Sequence, residues 1–408
     1  MPMASDYNVQ REGAEEAQGG LRRWHLYLII SCWTMFGVFL YSRFSTLGDS
    51  ESYLSGKYDE EDNHGLRTIV ITKLAEFVHA VVHVDLLAQL VFGAFAATGL
   101  WMLVKHARLH GRYRWPLVAL LVNPNFGTWA SVIGRESLFV GLMGFFLGAV
   151  LGYWRRPGFL YFLLATVCVG LMIFIRAPYG ASMAVFFVMF LIYRSGPRVG
   201  LSVGVQTLLL LGCATLILLV AWHPLDDYIT EDVLPRARAY FSLASGTTRT
   251  WIDMETTSAL LKSLWWSLPL ALVGPTPAEV LARPIMAPFM LSGLVVFGTL
   301  LYSIGMAFRA PKGLERKILL LGWFPALVMI LIAYVPFGIY NSGSAIRYAS
   351  CFLPYVIFPS MLLSAAAAAA RDERRLAEED GPVFDFVAHV GGAGGPVPSM
   401  QASLERIR

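Results

Sequence analysis

The sequence predicts an all-α polytopic membrane protein with about ten transmembrane helices and further amphipathic or interfacial helices on the outer face. Composition is the first reason. Of 408 residues, 56% are hydrophobic and only 15% charged, and the mean hydropathy is +0.57. Soluble domains carry about 25% charged residues. The second reason is a series of long apolar runs at 25–42, 83–104, 115–133, 137–154, 158–175, 179–193, 199–222, 287–308, 318–339 and 349–370. Only a bilayer accommodates so many.

The third reason is charge placement. Arg22 and Arg23 precede the first run, and Lys105, Arg108, Arg112 and Arg114 follow the second. Arg155 and Arg156 follow the fourth, and Arg194 and Arg198 the sixth. Arg309, Lys312, Arg316 and Lys317 follow the eighth, and Arg371, Arg374 and Arg375 the tenth. Basic clusters at every second junction obey the positive-inside rule and predict that both termini are cytoplasmic. The expected organisation is a disordered cytoplasmic N-terminus over 1–23, a transmembrane helical domain over 24–371 with outer loops at 43–82 and 223–286, and a disordered cytoplasmic tail over 372–408. The polar, glycine-rich start argues against a cleavable signal peptide, so the first run reads as a retained span.

In the first outer loop, Leu66, Ile69, Val70, Leu74, Phe77, Val78 and Val81 recur at helical spacing, predicting a helix that lies in the outer interface or packs on the bundle. The stretch from Leu260 to Val273, with Trp265 and Trp266, has the same interfacial or re-entrant character.

Several classes of function lack their signatures. The basic clusters are accounted for by topology, so no nucleic-acid partner is expected. Cys32, Cys168, Cys213 and Cys351 all lie in apolar runs without metal or disulfide spacing. There is no HExxH, GxSxG or Walker motif. No cofactor is expected, and nothing in the sequence supports a divalent metal.

Chemistry concentrates in four polar stretches, because charged groups at membrane depth are costly and need a reason. Gly48-Asp49-Ser50-Glu51-Ser52-Tyr53 offers two carboxylates, Asp49 and Glu51, as general base or metal ligand. Asn123 to Trp129, with Asn125 and Trp129, is followed by Arg135 and Glu136; Pro124 and Gly127 predict a broken or re-entrant segment. Arg135 and Glu136 are candidates either for the site or for a local pair at a helix start. Arg176, beside Tyr179, and Arg347, beside Tyr348, stand at outer ends where the positive-inside pattern disfavours arginine. A guanidinium there suits a phosphate or pyrophosphate, or else an acidic loop residue. Arg236, Arg238 and Arg249 add positive charge to the second loop.

With Gly274-Pro-Thr-Pro-Ala-Glu279 and Pro354, these stretches give the chain a resemblance, from Asp49 to about Pro359, to membrane proteins of bacterial polysaccharide gene clusters: Wzy- and EpsG-type polymerases and GT-C-type glycosyltransferases. The order of the motifs carries it. A lysine is expected where Arg135 stands, a change that keeps the charge. The resemblance implies an enzyme of the bacterial cytoplasmic membrane, acting at its outer face on a polyprenyl-(pyro)phosphate-linked sugar in exopolysaccharide, capsule or O-antigen synthesis. By the same resemblance Asp49 is the catalytic base, with Glu51 second to it. Arg135, Glu136, Arg176, Tyr179, Arg347, Tyr348, Trp129 and Asn125 are the expected substrate-binding residues, with Arg176 and Arg347 on phosphate and Trp129, Tyr179 and Tyr348 on sugar faces. Expected partners are the lipid-linked sugar, membrane lipids and other polysaccharide assembly proteins. A glycan ligase and a non-enzymatic export component are the alternatives.

Overall fold

The computed structural model describes residues 21–45, 47–55, 65–196, 200–242 and 248–379. The expected disordered N-terminus, but for its last three residues, and the tail beyond Glu379 lie outside the described residues. In chain order the helices are α1 (Arg23–Met35, continued in a widened turn, Phe36–Leu40), α2 (Ser50–Ser55), α3 (Leu66–Val82), α4 (Asp85–Ala107), α5 (Trp115–Leu121), α6 (Pro124–Ser131), α7 (Arg135–Arg155), α8 (Phe159–Ile175) and α9 (Ala177–Ser195). There follow α10 (Val203–Asp227), α11 (Leu234–Ser242), α12 (Thr257–Val273), α13 (Pro277–Ala282), α14 (Ala287–Arg309), α15 (Leu314–Ile318), α16 (Phe324–Gly338), α17 (Ser342–Ser350), α18 (Leu353–Val356) and α19 (Phe358–Glu379). Among the described residues there is no strand, only an isolated bridge between Thr248 and Asn341.

The chain is a multi-pass membrane protein. Six segments among the described residues are long and apolar enough to cross a bilayer: Arg23–Arg43, Asp85–Ala107, Arg135–Arg155, Ala177–Ser195, Pro284–Arg309 and Leu314–Gly338. A bent pair, Val203–Ile217 and Leu219–Ala239, makes a seventh if it is one span. The other runs behind the expectation of about ten are short or interrupted. The run 115–133 breaks into α5 and α6, as Pro124 and Gly127 suggest, and α8 has 17 residues. The run 349–370 turns at α18 before α19 begins.

The first compact unit reaches Ala366; the second begins at Ala367 and within the described residues is the charged end of α19, which stays helical to Glu379, past the expected domain end at Arg371. The Arg, Glu and Leu residues that follow the alanine run at 365–370 favour helix there.

Of the six long apolar segments α7 is the most enclosed: Phe139, Met143, Phe146, Leu147 and Val150 are fully buried. Its glycines explain why. A Cβ on Gly99 of α4 would strike the Gly141 carbonyl, and one on Gly144 would strike the Gly99 backbone. Small residues let two apolar helices touch backbone to backbone, which is how membrane helices gain packing energy.

The break between α5 and α6 frees backbone groups that need partners. Asn123 caps α6 by accepting from the Asn125 and Phe126 amides at 2.9 and 3.3 Å, with Pro124 at the first turn. From α1, Trp33 Nε1 donates to the Leu121 carbonyl at 2.8 Å and Thr34 Oγ1 to the Ser131 carbonyl at 3.0 Å.

Helix α3 forms where the periodicity predicts it. Ile71, Thr72 and Ala75 are its buried residues, Ile71 and Ala75 packing in the cluster of Tyr53, Ala88, Phe92 and Ile133. Leu66, Phe77 and Val81 point away from the protein, as an interfacial helix requires. Trp265 of α12 is likewise exposed.

Gly99→Leu is expected to cost about 1–3 kcal/mol by overpacking, whereas Gly170→Leu, with open space around the glycine, should be near neutral. Thermal unfolding of the two variants in detergent checks this; equal effects would mean that the α4–α7 seam is not close-packed.

Candidate functional site

The turn between α6 and α7 is the foundation of the site. Its Ile133 amide donates to Gln89 Oε1 of α4 at 2.5 Å, and its Ile133 carbonyl accepts from Ser50 Oγ of α2, also at 2.5 Å. Satisfying that one residue brings α2, and with it Asp49, beside the start of α7. Glu136 stands in the first turn of α7, where the helix dipole favours a negative charge.

Two guanidiniums, 40 and 211 residues further along the chain, converge on Glu136. Arg176, the single residue between α8 and α9, donates through Nη2 to Glu136 Oε1 at 2.5 Å. Arg347, in the last turn of α17, donates through Nε to the same oxygen at 2.8 Å and through Nη2 to Oε2 at 3.5 Å. Arg347 Nη2 also donates to Asp49 Oδ2 at 2.7 Å. Two carboxylates and two guanidiniums thus form one neutral cluster. Helix α17 is held in register by its cap, Asn341 Oδ1 accepting from the Ser344 amide at 3.0 Å.

Burial grades the cluster. The Glu136 side chain is 3% exposed, Arg176 12%, Arg347 13% and Asp49 40%. Burial opposes the Arg347 charge, yet Glu136 and then Asp49 hold its pKa well above the usual arginine value, so it is always protonated. Aromatic rings wall the guanidiniums. Arg176 Cζ lies 4.2 Å from the Tyr348 ring centre and 5.9 Å from that of Tyr179, and Arg347 Cζ is 5.5 Å from the Trp129 ring. Trp129 Nε1, Tyr179 Oη and Arg176 Nε are buried without a hydrogen-bond partner.

Asp49, Glu136, Arg176, Arg347, Trp129, Tyr179 and Tyr348 are therefore brought together from all four polar stretches. Others expected there are placed differently. Glu51 is exposed, and the carboxylates on Arg347 are those of Asp49 and Glu136. Arg135 does not pair with Glu136. Its Nε donates to Tyr53 Oη at 3.0 Å and its Nη2 to Thr68 Oγ1 at 2.6 Å, tying α7 to α2 and α3. Burial raises the Tyr53 phenol above its usual value, against the pull of Arg135. Asn125 is fastened to α14, its Nδ2 donating to the Phe289 carbonyl at 3.1 Å.

The loop arginines do not add free positive charge either. Arg236 pairs with Asp232 at 2.6 Å and Arg238 with Asp253 at 2.8 Å. Arg249 is buried, gripping Glu279 with Nε and Nη2 at 3.0 and 3.1 Å and donating to the Ile339 and Gly274 carbonyls. That clamp fastens the second loop to the chain just before α17. Trp129 and Tyr179 are 4% and 3% exposed, and Tyr348 packs against both Arg176 and Phe337. The three aromatics expected on sugar faces line the guanidiniums.

One residue was missed. Gly48 has φ +62°, and a Cβ there would lie 2.5 Å from Arg347 Nη1. Glycine is needed both for the backbone and for the close approach. Its place next to Asp49 was the available signal.

Among the described residues no group of three His, Cys, Asp or Glu side chains gathers as a metal site. No family model matches the chain, nor does any curated protein or solved structure.

Glu136→Gln leaves two buried cations short of an anion and is expected to cost about 3–5 kcal/mol, far more than Asp49→Asn at the exposed edge. Melting temperatures of the two variants in detergent test the ranking, which fails if Asp49→Asn destabilises as much as Glu136→Gln.

Proposed function

We propose that this chain is a membrane glycosyltransferase or polysaccharide polymerase that acts on a polyprenyl-(pyro)phosphate-linked sugar at the outer face of the bacterial cytoplasmic membrane. The topology that goes with this reading has about ten spans and both termini in the cytoplasm. The observation that carries the proposal is the 2.7 Å contact between Asp49, half-exposed, and Arg347, an obligate cation. A base and a phosphate-binding group side by side suit a reaction at a sugar carbon bonded to a phosphate oxygen.

In that reaction the acceptor hydroxyl oxygen bonds to the anomeric carbon and its proton passes to Asp49. The bond from the anomeric carbon to the phosphate oxygen breaks, and its electron pair leaves on the polyprenyl (pyro)phosphate. Arg347 faces the charge that develops on that phosphate, while Glu136 keeps both guanidiniums in place. The apolar outer face of α3, coupled to α7 through Arg135 and Thr68, suits a substrate that arrives from the lipid with its chain still in the bilayer.

A glycan ligase would use the same arginines without a base, and an export component would need a wide cationic lumen through the bundle and no base. Asp49→Asn separates these readings in a deletion strain complemented with the variant. The expected result is normal protein level, a loss of polymer of about 10²-fold or more, and lipid-linked sugar units accumulating. Normal polymer from the variant would remove the base from the mechanism and favour the ligase or export reading.

A further inference from the structure

Arg347 offers three nitrogens, and in the free protein two of them are engaged. Nε donates to Glu136 and Nη2 to Asp49, while Nη1 is the nitrogen that a Cβ on Gly48 would meet. A bidentate anion needs two of the three nitrogens, so one neighbour has to give way. Glu136 does not, because it is 3% exposed and also holds Arg176. Gly48 is set in a backbone turn with φ +62°, and Ser50 anchors the segment to Ile133. Asp49, with 40% of its side chain exposed and a single ion-pair partner, is the group free to leave.

We propose that the Nη2 edge of Arg347 is the seat of a substrate phosphate and that Asp49 fills this seat as an internal stand-in until the phosphate displaces it. The inference rests on the glycosyl-transfer reading above and adds an order of events to it. While Asp49 rests on the guanidinium, its Oδ2 accepts from Arg347 Nη2 at 2.7 Å and is not open to an acceptor hydroxyl. A phosphate on Nη2 takes over the guanidinium and releases the carboxylate. Donor binding thereby creates the base that attack by the acceptor needs, and an acceptor arriving first meets a carboxylate that is already engaged. The coupling is reciprocal: whatever removes the carboxylate's charge strengthens phosphate binding.

The test is calorimetric titration of the full-length protein in detergent with farnesyl phosphate and, separately, with inorganic pyrophosphate. Asp49→Asn keeps the shape of the side chain and removes the competing charge. It is expected to bind farnesyl phosphate about 5- to 150-fold more tightly than the parent. Arg347→Gln should abolish that binding. Arg347→Lys, which keeps the charge without the planar fork, should weaken it and guards against misfolding of the glutamine variant. A gain with farnesyl phosphate alone assigns the seat to a lipid headgroup; an equal gain with pyrophosphate assigns it to phosphate irrespective of the lipid. If the parent binds in an Arg347-dependent way and Asp49→Asn binds no more tightly, the stand-in is wrong while the phosphate reading survives. If neither parent nor Asp49→Asn binds either probe, the phosphate reading fails and the seat with it.

Discussion

Glu136 Oε1 receives hydrogen bonds from two guanidiniums at once, and much of the architecture serves that one carboxylate. A buried acid without cations, or two buried arginines without an anion, is far too costly to persist at the edge of an apolar bundle. Once α7 places Glu136, the break at Arg176 and the last turn of α17 have to meet there. Asp49 then balances the second arginine. The start of α7, the α8–α9 junction, the end of α17 and the chain leading into α2 are held together by four charges summing to zero.

The supports around this cluster follow a common logic. At several points where the backbone leaves helical geometry, a side chain from another element accepts or donates the orphaned bond: Trp33 at the α5–α6 break, Thr34 at the end of α6, Gln89 and Ser50 at Ile133, Arg249 at Ile339 and Gly274. Irregular chain at membrane depth is tolerated only on such terms. The backbone contact of α4 and α7 at Gly99, Gly141 and Gly144 then fixes the helix that carries Glu136, so a packing seam stands behind the electrostatic one.

Much of this was legible in the sequence. Charge depletion and apolar runs declared a helical membrane protein, and the out-of-pattern Arg176 and Arg347 marked a site because topology gave no account of them. The sequence also brought Asp49 to the same place. What it obscured was partnership. Arg135 and Glu136 are adjacent and invite reading as a pair, yet neighbours on a helix are turned about 100° apart and do not face one another. Glu136 reaches residues remote in sequence, and Arg135 reaches Tyr53 and Thr68. Exposure was equally hidden, since an aromatic beside an arginine reads as a ligand platform whether it faces solvent or, like Trp129 and Tyr179, the protein. Helix continuity was the third gap. A run such as 349–370 has the hydropathy of a span yet turns at α18, whereas Pro124 and Gly127 announce the break in 115–133.

The central claim is that Glu136 and Arg347 act as one unit although they come from distant parts of the chain. A double-mutant cycle on thermal stability, using Glu136→Gln, Arg347→Gln and both together, tests it most directly. Partners in contact couple by about 0.5–3 kcal/mol. The account predicts a coupling at the upper end of that range, with the double variant more stable than the sum of the single losses allows. Additive losses would mean that the two side chains do not share a site, contradicting the shared cluster and every role assigned to it.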